Sequence, residues 1–197
     1  MGIQDKKKMK RDALLDSAFS LFTSKGINKT SISDIVESSG VAKGTFYLYF
    51  KDKYDIRNML ISHKASQLFH NADVALEKEN INELSERIVF LADNIIDQLV
   101  ENKHLLTFIS KNLSWGIFKS VIANPDAEDV DFYDIYSRLI NSDEYKLKEP
   151  ELMVFMIVEL ISSTCYSSIL YSEPVSVEVL KPYLFDSIRD IVKRHTI

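Results

Sequence analysis

The sequence predicts an all-α protein in two parts, a three-helix N-terminal domain that contains a helix-turn-helix and a longer series of helices after it. Three observations predict it. Apolar residues recur at steps of three and four along most of the chain. No two strand-like runs lie at hairpin spacing. Glycines and serines in the first fifty residues fall where short helices have to stop. With 46% hydrophobic residues over 197 positions, the chain can bury a core of one or two domains.

The first helix is indicated by Ala13, Leu14, Leu15, Ala18, Phe19, Leu21 and Phe22, with Gly26 as its left-handed stop. Thr30 and Ser31 precede Ile32, Ile35 and Val36, and Asp34 stands three residues after Ser31, where a capping-box acid belongs. That second helix ends near Ser38-Ser39-Gly40, because the serines favour local side-chain bonds and Gly40 accepts positive φ. TFYLYF, residues 45–50, has the composition of a buried strand as well as of a helix. A strand needs a partner, and helical patterns flank the segment on both sides, so a helix from about Lys43 to Phe50 is expected. At about 100° per residue, Phe46 and Phe50 share one stripe while Gly44, Thr45 and Leu48 lie opposite, flanked by Lys43 and Tyr47 on one side and Tyr49 on the other. A helix this short is unstable alone, so the two phenylalanines must anchor it and its polar and tyrosine face is left outward.

Further helices are expected over residues 51–76, from about Asn82 to Asn102, and through LLTFISKNLSWGIFKSVI, where Trp115 beside Gly116 permits a bend. Residues 123–131 read as an acidic loop, followed by helical DFYDIYSRLI. The segment Leu152 to Leu160 is apolar almost all round, which predicts a helix covered on several sides. A last helix starts near Ser176, with Pro182 as a bend or local break. The two C-terminal helices carry more apolar surface than one partner covers; a self-interface and an intramolecular core both account for that.

Composition limits the function. A single cysteine, Cys165, rules out an internal disulfide and points to a reducing compartment, so cytoplasm is expected. Asp12 and Asp16 lie just beyond the basic start KKKMKR, so no secretory core forms there, and the uncharged run 160–172 is short for a membrane span. The net charge of −5 is uneven: residues 1–57 hold eleven Lys or Arg against seven Asp or Glu, and the remainder thirteen against twenty-two. A basic end on an acidic chain suits a local polyanion contact; a solvated lysine tail is the plainer account of KKKMKR. No catalytic or metal motif stands out: His63 and His70 lie two helical turns apart, too far to share one metal, and no nucleophile elbow or phosphate loop occurs. Cys165 reads as a small hydrophobe. Neither an enzyme nor a cofactor is indicated.

Thr30, Ser31, Ile35, Gly40, Val41, Lys43, Gly44, Thr45, Tyr47, Phe50 and Lys53 fall into the pattern T-[ST]-x(3)-I-x(4)-G-V-x-K-G-T-x-Y-x-x-F-x-x-K. That pattern resembles the DNA-binding domain of TetR-type transcriptional repressors, over about residues 8–60. Tyr49 stands where that family often has histidine, and Ala42 where serine is common. The resemblance implies a DNA-binding domain over 1–53, a helical regulatory and dimerisation domain over 54–197, and a homodimer through the last two helices on a palindromic operator. It also implies a ligand cavity whose occupation releases DNA. The alternative is a DNA-binding protein of the same fold that works through a protein partner or as an architectural factor.

A recognition helix brings its N-terminal side chains closest to base edges. Lys43 suits guanine acceptors and the Thr45 methyl a thymine methyl, while Gly44 lets backbone approach. By resemblance Tyr47 contacts phosphate or base. Tyr49 and Lys53 read as phosphate holders, and Ser31 and Ser33 as hydroxyl or backbone donors at the start of the second helix. Leu48 suits either a thymine methyl or packing on the next helix. For the ligand, Phe90, Asn94, Phe108, Trp115, Phe118, Tyr133, Met153, Met156 and Tyr166 have pocket-wall chemistry, although such residues at helical spacing also build plain cores. Glu159, a carboxylate inside MVFMIVELIS, suits a cationic ligand or a basic partner. A hydrophobic or cationic compound is expected.

Overall fold

The computed structural model describes residues 2–110, 137–138 and 145–197. They contain α1 (Ile3–Ser24), α2 (Ile32–Ser39), α3 (Lys43–Tyr49), α4 (Lys53–Leu76), α5 (Leu84–Glu101), α6 (Lys103–Ser110), α7 (Pro150–Tyr171) and α8 (Val177–His195). The chain forms two compact units, Met1–His63 and Lys64–Ile197. The division falls inside α4, so that the fully buried Ile56 and Leu60 of its first turns belong to the first unit. The expected bend at Trp115-Gly116, the acidic loop 123–131 and nearly all of DFYDIYSRLI lie outside the described residues.

In the first unit α1 packs on α2 and α3. Leu14, Leu15, Ala18 and Phe22 turn inward from α1, Ile35 from α2, and Phe46 and Phe50 from α3 and its end. Helix α1 begins well before Ala13, so KKKMKR forms helical turns rather than a tail. Its first acid, Asp5, accepts the Gly2 N–H at 2.8 Å.

In the second unit α5, α7 and α8 pack on one another, and α6 packs on α5 and α7. Glu86 of α5 grips Arg189 of α8 with both oxygens, at 2.6 and 3.0 Å, and Lys181 of α8 sits between Asp93 and Asp97 of α5. The guanidinium hydrogen bonds hold Glu86 below the ordinary carboxylate range. Leu147 bridges to Thr196, and Ile197 N–H donates to Lys146 O at 2.9 Å, which fastens the end of α8 to the segment before α7. The expected break at Pro182 does not occur. Helix α8 runs on through it, with Val177, Leu184, Ile188 and Val192 buried along one side. Helix α7 is less enclosed than its composition suggests: Met153, Ile157, Cys165 and Ile169 are buried, but Leu152, Met156 and Tyr171 are exposed. It is long and apolar enough to cross a membrane by composition; its buried side chains are packed within the unit.

Because Phe50 is fully buried at the end of a helix too short to persist alone, Phe50→Ala should cost about 3–5 kcal/mol. Urea unfolding followed by circular dichroism measures it, and a loss below about 1 kcal/mol would mean the ring is not an anchor.

Candidate functional site

The region from Thr30 to Lys53 is assembled by local polar devices. Thr30 is buried and its hydroxyl donates to Gly26 O at 2.9 Å, so the turn between α1 and α2 is closed from inside. Ser31 and Asp34 form the reciprocal box expected from their spacing: Asp34 N–H donates to Ser31 Oγ at 3.1 Å, and Ser31 N–H to Asp34 Oδ2 at 2.7 Å. Lys25 lies 3.0 Å from the same carboxylate. The Ser31 backbone bond, with help from Lys25, holds Asp34 down at about 2. Gly40 closes α2 with φ of 66°, its N–H and that of Val41 returning to Glu37 O and Val36 O. A side chain at Gly40 would be strained in that conformation.

Helix α3 then has two unlike faces. Phe46 and Phe50 are buried, their ring centroids 5.4 Å apart. Lys43, Gly44, Tyr47 and Leu48 are exposed and Thr45 is half-buried. Leu48 is 79% exposed, so it does not pack on α4. Nothing lies within 4 Å of the place a Gly44 side chain would occupy, so that backbone is open to a partner. Ser31 and Ser33 are also exposed.

Two residues expected at phosphates have other engagements. Lys53 Nζ donates to Ile27 O at 3.1 Å, Asn28 O at 3.4 Å and Thr30 O at 3.2 Å, so its three donors close the α1–α2 turn. Tyr49 is half-buried and its hydroxyl donates to Lys7 O at 3.2 Å. Sequence spacing could not show either contact, since one spans 23–26 residues and the other 42. At the start of α4, Asp52 Oδ1 accepts the N–H groups of Tyr54 and Asp55, and those backbone bonds lower its carboxyl.

Residues 14–59 match the family described as bacterial regulatory proteins, tetR family. This segment of the chain is a tetR-family helix-turn-helix domain. The chain is 41% identical over 63 residues to the uncharacterised HTH-type regulator YvdT of Bacillus subtilis, a match that spans 32% of that relative. To the HTH-type regulator SAS2464 of Staphylococcus aureus it is 23% identical over 190 residues, 95% of this chain and 97% of that one. The solved structure of the regulator FadR from Bacillus subtilis in complex with stearoyl-CoA shares its fold, with a TM-score of 0.64 at 18% identity over 91% of this chain and 98% of that one.

The second unit holds a cavity of about 140 Å³. Its walls come from Ala65, Leu68 and Phe69 of α4, Ile88, Leu91 and Leu99 of α5, Leu106 and Ile109 of α6, and Met153, Ile157, Ile161 and Cys165 of α7, among others. Ser110 and Ser162 are the polar side chains among the described lining residues, and none of those is charged. Burial pushes the Cys165 thiol up to about 11, so it is a neutral wall group.

Of the ligand residues expected from sequence, Met153 lines this cavity. Phe90 packs beside Ala72, Leu76 and Leu91, and Asn94 Oδ1 accepts from Gln98 at 2.9 Å. Phe108 is buried but not in the described lining; Tyr166 is half-buried with its ring against Tyr171; Met156 and Glu159 are exposed. Trp115, Phe118 and Tyr133 lie outside the described residues. The actual walls are mostly aliphatic, and their signal in the sequence is a helical stripe, such as 88, 91, 92, 95 and 99, rather than a residue type.

The Asp34 carboxyl sets a pH dependence. Its folded value lies below its ordinary one, so its contribution is present above about pH 4 and is lost as pH falls toward about 2. The stability gap between the wild type and Asp34→Asn should therefore be constant near neutral pH and close on acidification. Denaturant titrations across that range test this, and a gap that widens with acid would contradict it.

Proposed function

We propose that the protein is a repressor released from a palindromic operator by a small apolar ligand. The observation that carries the DNA half is the face of α3: Lys43, Gly44, Tyr47 and Leu48 stand outward on a helix whose other side is anchored by two buried rings. That face supplies a guanine-seeking ammonium, open backbone, a hydroxyl and an apolar tip, the chemistry that reads a major groove. Thr45 joins it, and Ser31 and Ser33 offer donors to phosphate at the start of α2. Lys53 and Tyr49 serve the interface by holding its parts rather than by touching phosphate.

Leu152 and Met156 on α7, and Val179 and Tyr183 on α8, are exposed one turn apart on their helices. Such apolar stripes support a homodimer through the last two helices, which would give the operator twofold symmetry. Cytoplasmic location accords with that role.

The cavity supports a ligand-responsive regulator over one that acts through a protein partner or as an architectural factor. Its described walls favour an apolar chain or ring over a cation, because Glu159 lies away from them. Its size is of the order of an engineered cavity of about 150 Å³ that admits benzene. FadR from Bacillus subtilis, which shares the fold, is known in complex with stearoyl-CoA, a ligand with a long apolar chain. Helix α4 gives Ile56 and Leu60 to the first unit and Ala65, Leu68 and Phe69 to the cavity wall, so it is the element through which occupation would reach the DNA-binding helices.

Selection from a randomised duplex pool should enrich a twofold-symmetric sequence, and Tyr47→Ala should lower affinity for it at least tenfold with unchanged thermal unfolding. Equal affinity in the variant would remove Tyr47 from the interface. In a series of acyl-CoA esters from short to long chains, DNA release should strengthen by about 0.8 kcal/mol per added methylene until the cavity is filled. A series in which no member moves DNA occupancy would defeat the ligand reading and leave the DNA reading standing.

A further inference from the structure

The first two turns of α1 carry Lys6, Lys7, Lys8 and Lys10, all exposed. At about 100° per residue Lys6, Lys10 and Lys7 fall within one arc of about 100°, and Lys8 lies about 100° further round from Lys7. The acid of the first turn, Asp5, accepts the Gly2 N–H. This arrangement works against the helix that contains it. Lysines at steps of three and four repel one another, and cations at a helix N-terminus oppose its dipole. A local arrangement that costs stability points to a partner outside the fold. A polyanion reverses both penalties.

The position of the patch identifies the polyanion. Tyr49, near the C-terminal end of α3, donates its hydroxyl to Lys7 O at 3.2 Å. Its ring lies 6.2 Å from that of Phe50, which is buried, so the tyrosine is held at its base as well as its tip. Arg11, one turn beyond Lys7, donates to Met59 Sδ at 3.3 Å and fixes α1 from its other side. The backbone of α1 at Lys7 is thus held one tyrosine side chain away from the end of α3. If the N-terminal end of α3 approaches base edges, its C-terminal end lies toward the strand bordering the groove.

We propose that Lys6, Lys7, Lys8 and Lys10 form a second, sequence-independent contact with the phosphate backbone flanking the groove that α3 enters, with Tyr49 as the positioning residue. The proposal rests on the DNA reading above. It explains why a chain with net charge −5 concentrates its basic residues at one end. It also gives Tyr49, which stands where the family often has histidine, a structural task of its own.

The test uses the full chain, the duplex enriched by the wild type, and a mixed-sequence duplex of the same length, with affinity measured against salt concentration. Each phosphate contact contributes about 0.9 to the slope of log affinity against log salt. The variant Lys6→Gln/Lys7→Gln/Lys8→Gln/Lys10→Gln should flatten that slope by about two to four and weaken both duplexes by the same factor. Tyr49→Phe, with its ring kept and its hydroxyl gone, should flatten the slope by about one on both. Thermal unfolding should not fall in the lysine variant, since neutralising the charges relieves their repulsion and their opposition to the helix dipole. An unchanged slope in the lysine variant, or a loss confined to the enriched duplex, overturns the phosphate contact. An unchanged slope in Tyr49→Phe alone overturns the positioning role. A wild type that enriches no duplex overturns the DNA reading and this proposal together.

Discussion

The burial of two phenylalanine rings beneath a seven-residue helix is the constraint on which the N-terminal unit depends. A helix of that length has too few internal hydrogen bonds to offset the cost of its own nucleation. It exists because Phe46 and Phe50 are removed from water where α3 packs on α1 and α2, and each buried ring of that size contributes a few kcal/mol. The outward side of α3 is thereby relieved of any packing duty. Lys43, Gly44, Tyr47 and Leu48 can be chosen for what they touch outside the protein, and Leu48, at 79% exposure, has no structural use that its surroundings reveal.

The two units solve different problems with different chemistry. In the first, short helices leave many unpaired backbone groups, and side chains close them: Thr30 and Lys53 at the α1–α2 turn, Ser31 and Asp34 at the start of α2, Gly40 at its end, Asp52 at the start of α4. The result is a rigid frame around a polar face. In the second, longer helices meet through aliphatic side chains, and charge is kept to the margins, where Arg189 meets Glu86 and Lys181 meets Asp93 and Asp97. Partly exposed pairs of this kind contribute about 1 kcal/mol or less each, so they align α5 with α8 more than they hold the unit together. The apolar interior they surround encloses a cavity with neutral walls among the described residues, which suits a ligand recognised by its shape and apolar area.

Local signals were legible in the sequence, and contacts between distant residues were not. The limits of α2, the Ser31–Asp34 box and the inward stripe of α3 can be read from spacing alone, because each depends on residues within one or two turns. Of the bend or break expected at Pro182 the break is absent: packing of Val177, Leu184 and Ile188 on one side of α8 outweighs the one missing backbone bond. The bonds that Lys53 and Tyr49 make within the unit were not visible in one dimension, because the carbonyls they meet belong to residues 27–30 and 7. For the cavity, aromatic and methionine chemistry picked out Met153 but missed walls built from Leu, Ile, Ala and Cys165, whose common property is the face of a helix they occupy.

The two-faced character of α3 is tested most directly by a methyl- and ring-labelled NMR titration of the full chain with the duplex it enriches. On binding, the Leu48 methyl and Tyr47 ring signals should shift, while Phe46 and Phe50 keep the chemical shifts and slow ring environments of the free protein. Binding that leaves Leu48 and Tyr47 unmoved, or that brings the Phe46 ring into contact with water, would contradict it.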